Sequence, residues 1–249
     1  MNKRSFMVFR AECLKLKHTK VYSLIFFVTL TAPLLAYLVG GKLIFIPFTL
    51  YWWEALLLFL LISLLFLRDN RSEAAAGNFQ NIAGTALKKQ IYFSKVWLLF
   101  LEVLLASAEL LVEIYLVAAL YGGLLPAELL RLVVVTCLLL LASLWDIFFV
   151  YYLASWLNAY LVAVSNSLCC LLLAPLLAQT SWWPLFPYTY HYKVVEAVVG
   201  LAPNGVPASA LLNVDQKILA LSVGLALFWA GLLAVLLRRS RSNDQNVKV

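Results

Sequence analysis

From Leu132 to Tyr192 the chain carries one charged side chain, Asp146. A helix needs about 20 apolar residues to cross the hydrocarbon core of a bilayer. The run is too long for one such helix and holds two, about Ala127–Leu153 and Leu157–Leu177, with a turn at Ser155-Trp156-Leu157-Asn158. Composition agrees. Hydrophobic residues make up 64% of the 249 and charged residues 12%, against roughly 45–50% and 25% in soluble domains. A soluble enzyme, a disordered chain and a fibrous repeat are excluded. So is a β-barrel, because the apolar runs are continuous and do not alternate.

Four further spans are expected: Val21–Val39, Phe48–Leu67, Ser94–Leu120 and Gln216–Leu237. Tyr121-Gly122-Gly123 and Pro126 mark the turn after the third. The expected fold is all-α, a polytopic membrane protein with six transmembrane helices. With six spans both termini share a side. Lys42, Arg131, Lys193 and Lys217 then fall opposite the other fifteen of the nineteen Lys and Arg residues. Positive charge collects on the cytoplasmic side, so both termini and segment 68–93 are expected there and 178–215 outside. No cleavable signal peptide is expected, because the first apolar run is span-length and lacks a convincing cleavage site. The four cysteines have neither disulfide flanks nor zinc spacing.

Residues 1–20 precede the first span. Phe6, Phe9, Cys13 and Leu16 form one helical stripe, with Arg4, Glu12 and Lys15 on the other side. Such a basic amphipathic helix lies along a membrane surface, either as a simple anchor or as an elbow packed on a partner. In segment 68–93, Ser72–Ala76 favours a helix. Phe79 stands among Asn78, Gln80 and Asn81, either as a docking knob for another protein or within an ordinary solvated loop. The outer segment 179–215 joins four prolines to Trp182, Trp183, Phe186, Tyr188, Tyr190 and Tyr192, with Asn204-Gly205 as a turn. It is expected to be interfacial or re-entrant, packed on the last two spans, as a substrate gate or as a lid.

The third span carries Glu102, Glu109 and Glu113. At ~100° per residue they share one face. A charge near a span centre costs about 2.5–3.5 kcal/mol to insert, so this face should avoid lipid. It serves either a cationic or proton path or interhelical hydrogen bonding between subunits, with Asp146 a candidate partner. Glu54 is expected at the outer interface. No phosphate-binding G-x-x-x-x-G-K-[ST] loop and no H-E-x-x-H occurs. His18 and His191 fall on opposite sides. No catalytic residue, resident cofactor, metal site or nucleic-acid partner is expected.

The basic elbow Arg10-Ala11-Glu12-x-x-Lys15-Leu16-Lys17-His18-Thr19, the six spans, the cytoplasmic loop and the wet outer element together resemble the ABC-2 class of ABC-transporter permeases. Glu73…Ala76-Gly77-Asn78-Phe79-Gln80-Asn81, with Ser94-Lys95 opening the third span, is similar to the permease subunits of lantibiotic-immunity transporters, the mutacin/epidermin/nisin E and G types. Pro187-Tyr188-Thr189-Tyr190 and Pro203-Asn204-Gly205 look like that family's outer segment. Ile82-Ala83-Gly84-Thr85-Ala86 departs from the family's pattern.

The resemblance implies an elbow at 1–20 with Arg10, Glu12, Lys15 and Lys17, a transmembrane domain over 21–237, and a basic cytoplasmic tail over 238–249. It implies a coupling helix with Glu73, Gly77, Asn78, Phe79, Gln80 and Asn81, and an outer segment with Trp182, Trp183, Tyr188, Tyr190, Asn204 and Gly205. The implied partners are a separate ATPase dimer that binds the ATP, a second permease subunit, membrane lipids and a lantibiotic substrate. The setting would be the cell membrane of a Gram-positive bacterium. The rival readings are an ABC-2 permease for another amphiphile (a bacitracin-like peptide, a drug or a lipid-linked glycan), a membrane enzyme, and a channel-like or sensor module.

Overall fold

The computed structural model describes all residues except 1–2, 17–18, 77–86, 121, 206–214 and 244–249, with side chains also undescribed at 3–5, 42–43 and 240–243. The described residues are helical, without a strand. In chain order the helices are α1 Lys3–Leu16, α2 Val21–Trp52, α3 Leu58–Ala75, α4 Lys88–Ala119, α5 Pro126–Leu153, α6 Ala159–Leu168, α7 Ala174–Ala178, α8 Tyr190–Val199 and α9 Gln216–Asn243. Two π-helical turns interrupt them, Trp53–Leu57 between α2 and α3 and Cys169–Leu173 between α6 and α7.

Helix α2 is broken at Gly41, whose φ of 55° and ψ of −161° fall close to a region that only glycine visits readily. The chain reverses there. Val21 and Ile25 lie beside Leu98 and Glu102 of α4, and Arg68 of α3 reaches the same Glu102. Local chemistry sets the other boundaries. Gly122 and Gly123 take positive φ between α4 and α5. The Glu128 carboxylate accepts the Leu125 N–H, with Pro126 opening α5. Asn158 Oδ1 caps α6 through the Tyr160 N–H, so the turn falls where the sequence places it. Asp215 Oδ1 accepts from the N–H groups of Lys217 and Ile218 at the start of α9. Such caps satisfy backbone donors that a helix leaves unpaired.

Among the described residues, five segments are long and apolar enough to cross a membrane: Val21–Gly41, Ile44–Ala75, Pro126–Leu153, Ala159–Ala178 and Gln216–Arg239. The protein is therefore read as a multi-pass membrane protein. Helix α4 has the length, 32 residues or about 48 Å, but its three glutamates set it apart from the five. It packs between α1, α2 and α5. The core centres on α3 and the π turn before it, where Trp53, Leu58, Phe59, Leu61, Ile62, Leu65 and Phe66 are buried. Helix α9 lies on α5 and α8. It buries Ser222, Ala226, Ala230, Leu233 and Leu237, and small residues in such a stripe permit close helix approach. Its other face exposes Leu221, Leu227, Phe228 and Val235.

Candidate functional site

The first polar centre gathers α1, α3, α4 and α5 at the end of the bundle where the basic residues collect. The Lys95 side chain is 2% exposed, and its ammonium lies 2.6 Å from Asp69 Oδ1, 2.8 Å from Glu73 Oε1 and 3.6 Å from Glu12 Oε2. Lys15 reaches Glu73 at 2.7 Å and Glu12 at 2.9 Å. Burial opposes the charge on Lys15, but these two carboxylates outweigh it and hold its pKa above the ordinary lysine value. Tyr151 donates its hydroxyl to Asp69 at 3.0 Å. Oxygens of Glu12, Asp69 and Glu73 come within 4.8 Å of one another, close enough to hold a metal ion. The Lys95 ammonium sits among them instead and supplies the countercharge.

This cluster revises the elbow. Glu12 was expected on the polar, outward side of α1. It is buried, because its carboxylate faces Lys95 and Lys15. Glu73, expected in the coupling segment, directs its carboxylate into the same cluster, so it anchors the end of α3. Arg10 is exposed. Lys17, Gly77, Asn78, Phe79, Gln80 and Asn81 lie outside the described residues.

The glutamates of α4 do not join in one network. Arg68 Nη2 lies 2.8 Å from Glu102 Oε1 and donates to Oε2 at 3.0 Å. Glu113 accepts from Thr29 Oγ1 at 3.1 Å. Both glutamates are buried, and Glu109 between them is half-buried. Asp146 is not their partner. It belongs to a second polar centre.

That centre lies where the two π turns meet. Asn166 of α6 donates through Nδ2 to Ser63 Oγ of α3 and to Asp146 Oδ2 of α5, each at 3.0 Å. Its Oδ1 accepts from the Tyr188 hydroxyl. Nearby, Cys170 in one π turn donates to Ala55 O in the other at 3.3 Å. It also lies 3.5 Å from His191 Nε2. A π turn widens the backbone and frees carbonyls, and such turns recur at functional sites. Pro175 adds to this, since it has no N–H for the Leu171 carbonyl. Glu54, in the first π turn, is fully buried and was expected at the interface. The reason is packing: α8 covers this turn. Both Glu54 carboxylate oxygens, Asp146 Oδ1 and His191 Nδ1 have no hydrogen-bond partner among the described residues. Burial drives the His191 imidazole down to about 3, so the ring is neutral. Its ring centre lies 4.6 Å from that of Phe59, with the two planes tilted by 43°.

The outer segment is more deeply packed than its composition suggests. Helix α8 seats against α9 and touches α7 at the end of the fifth span, so it packs on the last two spans as expected, and it also lies on α5. It ends at Gly200 in the left-handed conformation, and Arg131 donates to the Val198 carbonyl through Nε at 2.8 Å and through Nη2. Tyr188 and Tyr190 are buried. Tyr190 gives its hydroxyl to Pro184 O, so its ring offers no face to an outside ligand. Trp183 is half-buried, with the Lys193 ammonium 5.9 Å from its ring centre. Trp182 is 67% exposed. Gly205, after the exposed Asn204, has a φ of 80° and packs against the Tyr51 ring.

Sequence reasoning missed Asn166, Cys170, Ser63 and the π turns. One signal was present: Asn166 is an amide within a long apolar run, where it needs partners. The fold and these centres define a helical multi-pass membrane protein with two internal polar clusters. No protein-family model, curated protein or solved structure matches the chain.

Proposed function

We propose that the chain is the permease subunit of an ABC transporter of the ABC-2 class, expelling a cationic lantibiotic from the membrane and driven by a separate ATPase. In this reading α4 is an additional span, its Glu102 and Glu113 held by Arg68 and Thr29 within the bundle, and the basic end faces the cytoplasm. The observation that carries the reading is the clamp around Lys95. It ties the amphipathic helix α1 to the end of α3 and the start of α4. In sequence, segment 77–86 links those two helices, and it holds Phe79 and its polar neighbours. A force applied by an ATPase to this segment would pass into α3, α4 and α1 as one unit.

Two permease chains, alike or different, would form the membrane pore. The apolar faces left open on α2, α6 and α9 supply surface for lipid and for the second chain. The fold itself suits a permease for another amphiphile equally well, so substrate choice needs its own arm. Cells expressing the chain with its ATPase are challenged with a cationic lantibiotic, bacitracin and a neutral drug. Selective protection against the lantibiotic supports the reading, and selective protection against another compound reassigns the substrate. Phe79→Ala should abolish protection while membrane insertion is kept. Full protection in that variant removes the segment from coupling.

A further inference from the structure

Glu54 lies inside the membrane span Ile44–Ala75, about 15 Å of helix from its start at Ile44, roughly half of the ~30 Å hydrocarbon core. Its side chain is fully buried, and neither carboxylate oxygen has a hydrogen-bond partner among the described residues. The other buried acids are provided for. Glu102 meets Arg68, and Glu113 meets Thr29. Glu12 and Glu73 share Lys95, and Asp146 takes the Asn166 amide. Glu54 has nothing comparable.

The π turn that holds it is packed by α2, α3, α8 and the second π turn. On α2 the nearest titratable group is Tyr51, and the second π turn brings Cys169 and Cys170. Helix α3 carries none before Arg68, which Glu102 engages. Helix α8 brings His191, Tyr192, Lys193 and Glu196. His191 is neutral, and Tyr192 gives its hydroxyl to the Cys170 carbonyl. The Lys193 ammonium lies 2.7 Å from Glu196. No described cation therefore meets Glu54, and Glu196 adds a like charge. An ionised carboxylate with neither a cation nor a donor is strongly disfavoured away from water. A neutral carboxylic acid removes that charge.

We propose that Glu54 is a proton-binding site: its carboxyl is carried as the neutral acid while α8 is seated on the π turn, and loss of the proton loosens α8. A metal ion is the poorer occupant. The Glu54 and Ala55 carbonyls already accept from Cys170. Among the described residues, three carboxylate, thiol or imidazole ligand atoms converge at Glu12, Asp69 and Glu73, not at Glu54. Deprotonation would leave a bare charge beneath α8, next to Glu196, and hydrating that charge requires α8 to move.

The full-length protein and Glu54→Gln are reconstituted into phosphatidylcholine vesicles and compared by infrared difference spectroscopy at neutral pH, in sodium and in choline buffer. The wild type should show the carbonyl band of a protonated carboxylic acid that the variant lacks, equally in both buffers. The variant, a neutral isostere, should fold with a thermal midpoint close to that of the wild type. The pH is then raised until the wild-type band is lost. At that pH the amides of 190–199 should exchange with deuterium about tenfold faster in the wild type than in Glu54→Gln, the sign of local opening. An acid band absent from the wild type overturns the proposal. So does a sodium-dependent carboxylate band that the variant lacks, which would place a metal ion on Glu54, or a variant that does not fold. Equal exchange of α8 after the band is lost, or a band kept until the whole protein unfolds, would separate the proton from α8 and overturn the coupling.

Discussion

The Lys95 ammonium sits 2.6 Å from the Asp69 carboxylate, bridging the start of α4 and the last turns of α3. Glu73 and Glu12 surround the same ammonium, so one buried cation organises three helices. A buried ion pair is weak evidence for net stability, because desolvation offsets attraction. Removing one partner is a different matter, since it strands a buried charge.

Lys95→Met should therefore destabilise the protein by about 3–5 kcal/mol, leaving Asp69, Glu73 and Glu12 crowded without their shared cation. Thermal unfolding in detergent measures this. Lys89→Met, on the exposed side of the same helix, should change the midpoint little.

Asn166→Leu should cost roughly 1–3 kcal/mol for each buried group it strands. Those groups are Ser63, Asp146 and Tyr188. The effect should shrink when Asp146→Leu is added, because the coupled pair is then replaced together. Additive losses in the double-mutant cycle would show that the two side chains do not interact.

Burial holds the His191 imidazole at about 3, against an ordinary 6.5. Between those values the unfolded chain binds a proton that the folded chain does not. Stability from this residue is present above about pH 6.5 and is lost as pH falls toward 3, by up to about 1.4 kcal/mol per pH unit. The wild type should lose more thermal stability than His191→Gln on moving from neutral pH to about pH 4. Equal losses would place the proton elsewhere.

The two adjacent tryptophans should behave differently. Trp183 packs edge-on against Tyr190 and lies beside Lys193, so Trp183→Ala should lower folding yield. Trp182 is the freer ring. If the outer segment meets the peptide, Trp182→Ala should weaken lantibiotic protection at normal expression. Protection unchanged in Trp182→Ala would leave this segment a lid over the bundle.

Most of the architecture was legible because lipid imposes a simple rule on sequence. Long apolar runs must be helices, and their punctuation is read from Gly122-Gly123, Pro126 and Asn158. The reversal at Gly41 was marked only as a gap between spans. Partner choice was less legible. Spacing put Glu102, Glu109 and Glu113 on one face, yet which cation or hydroxyl meets each depends on how α2 and α3 are registered against α4. Glu12 misled for a related reason. Amphipathic periodicity assigns a charged residue to water, and it cannot foresee a buried lysine on another helix. The π turns left no readable pattern, since one extra residue per turn alters no composition.

The central claim is that this chain is moved by a separate ATPase. The most direct measurement is affinity purification of the full-length chain from its native membrane, with ATP hydrolysis and subunit stoichiometry read from the same eluate. The account predicts an ATP-binding cassette subunit in near-equal amount, a second permease chain, and hydrolysis that rises with a cationic lantibiotic and loses that response in Phe79→Ala. A chain that purifies intact without an ATPase and without ATP hydrolysis would contradict it.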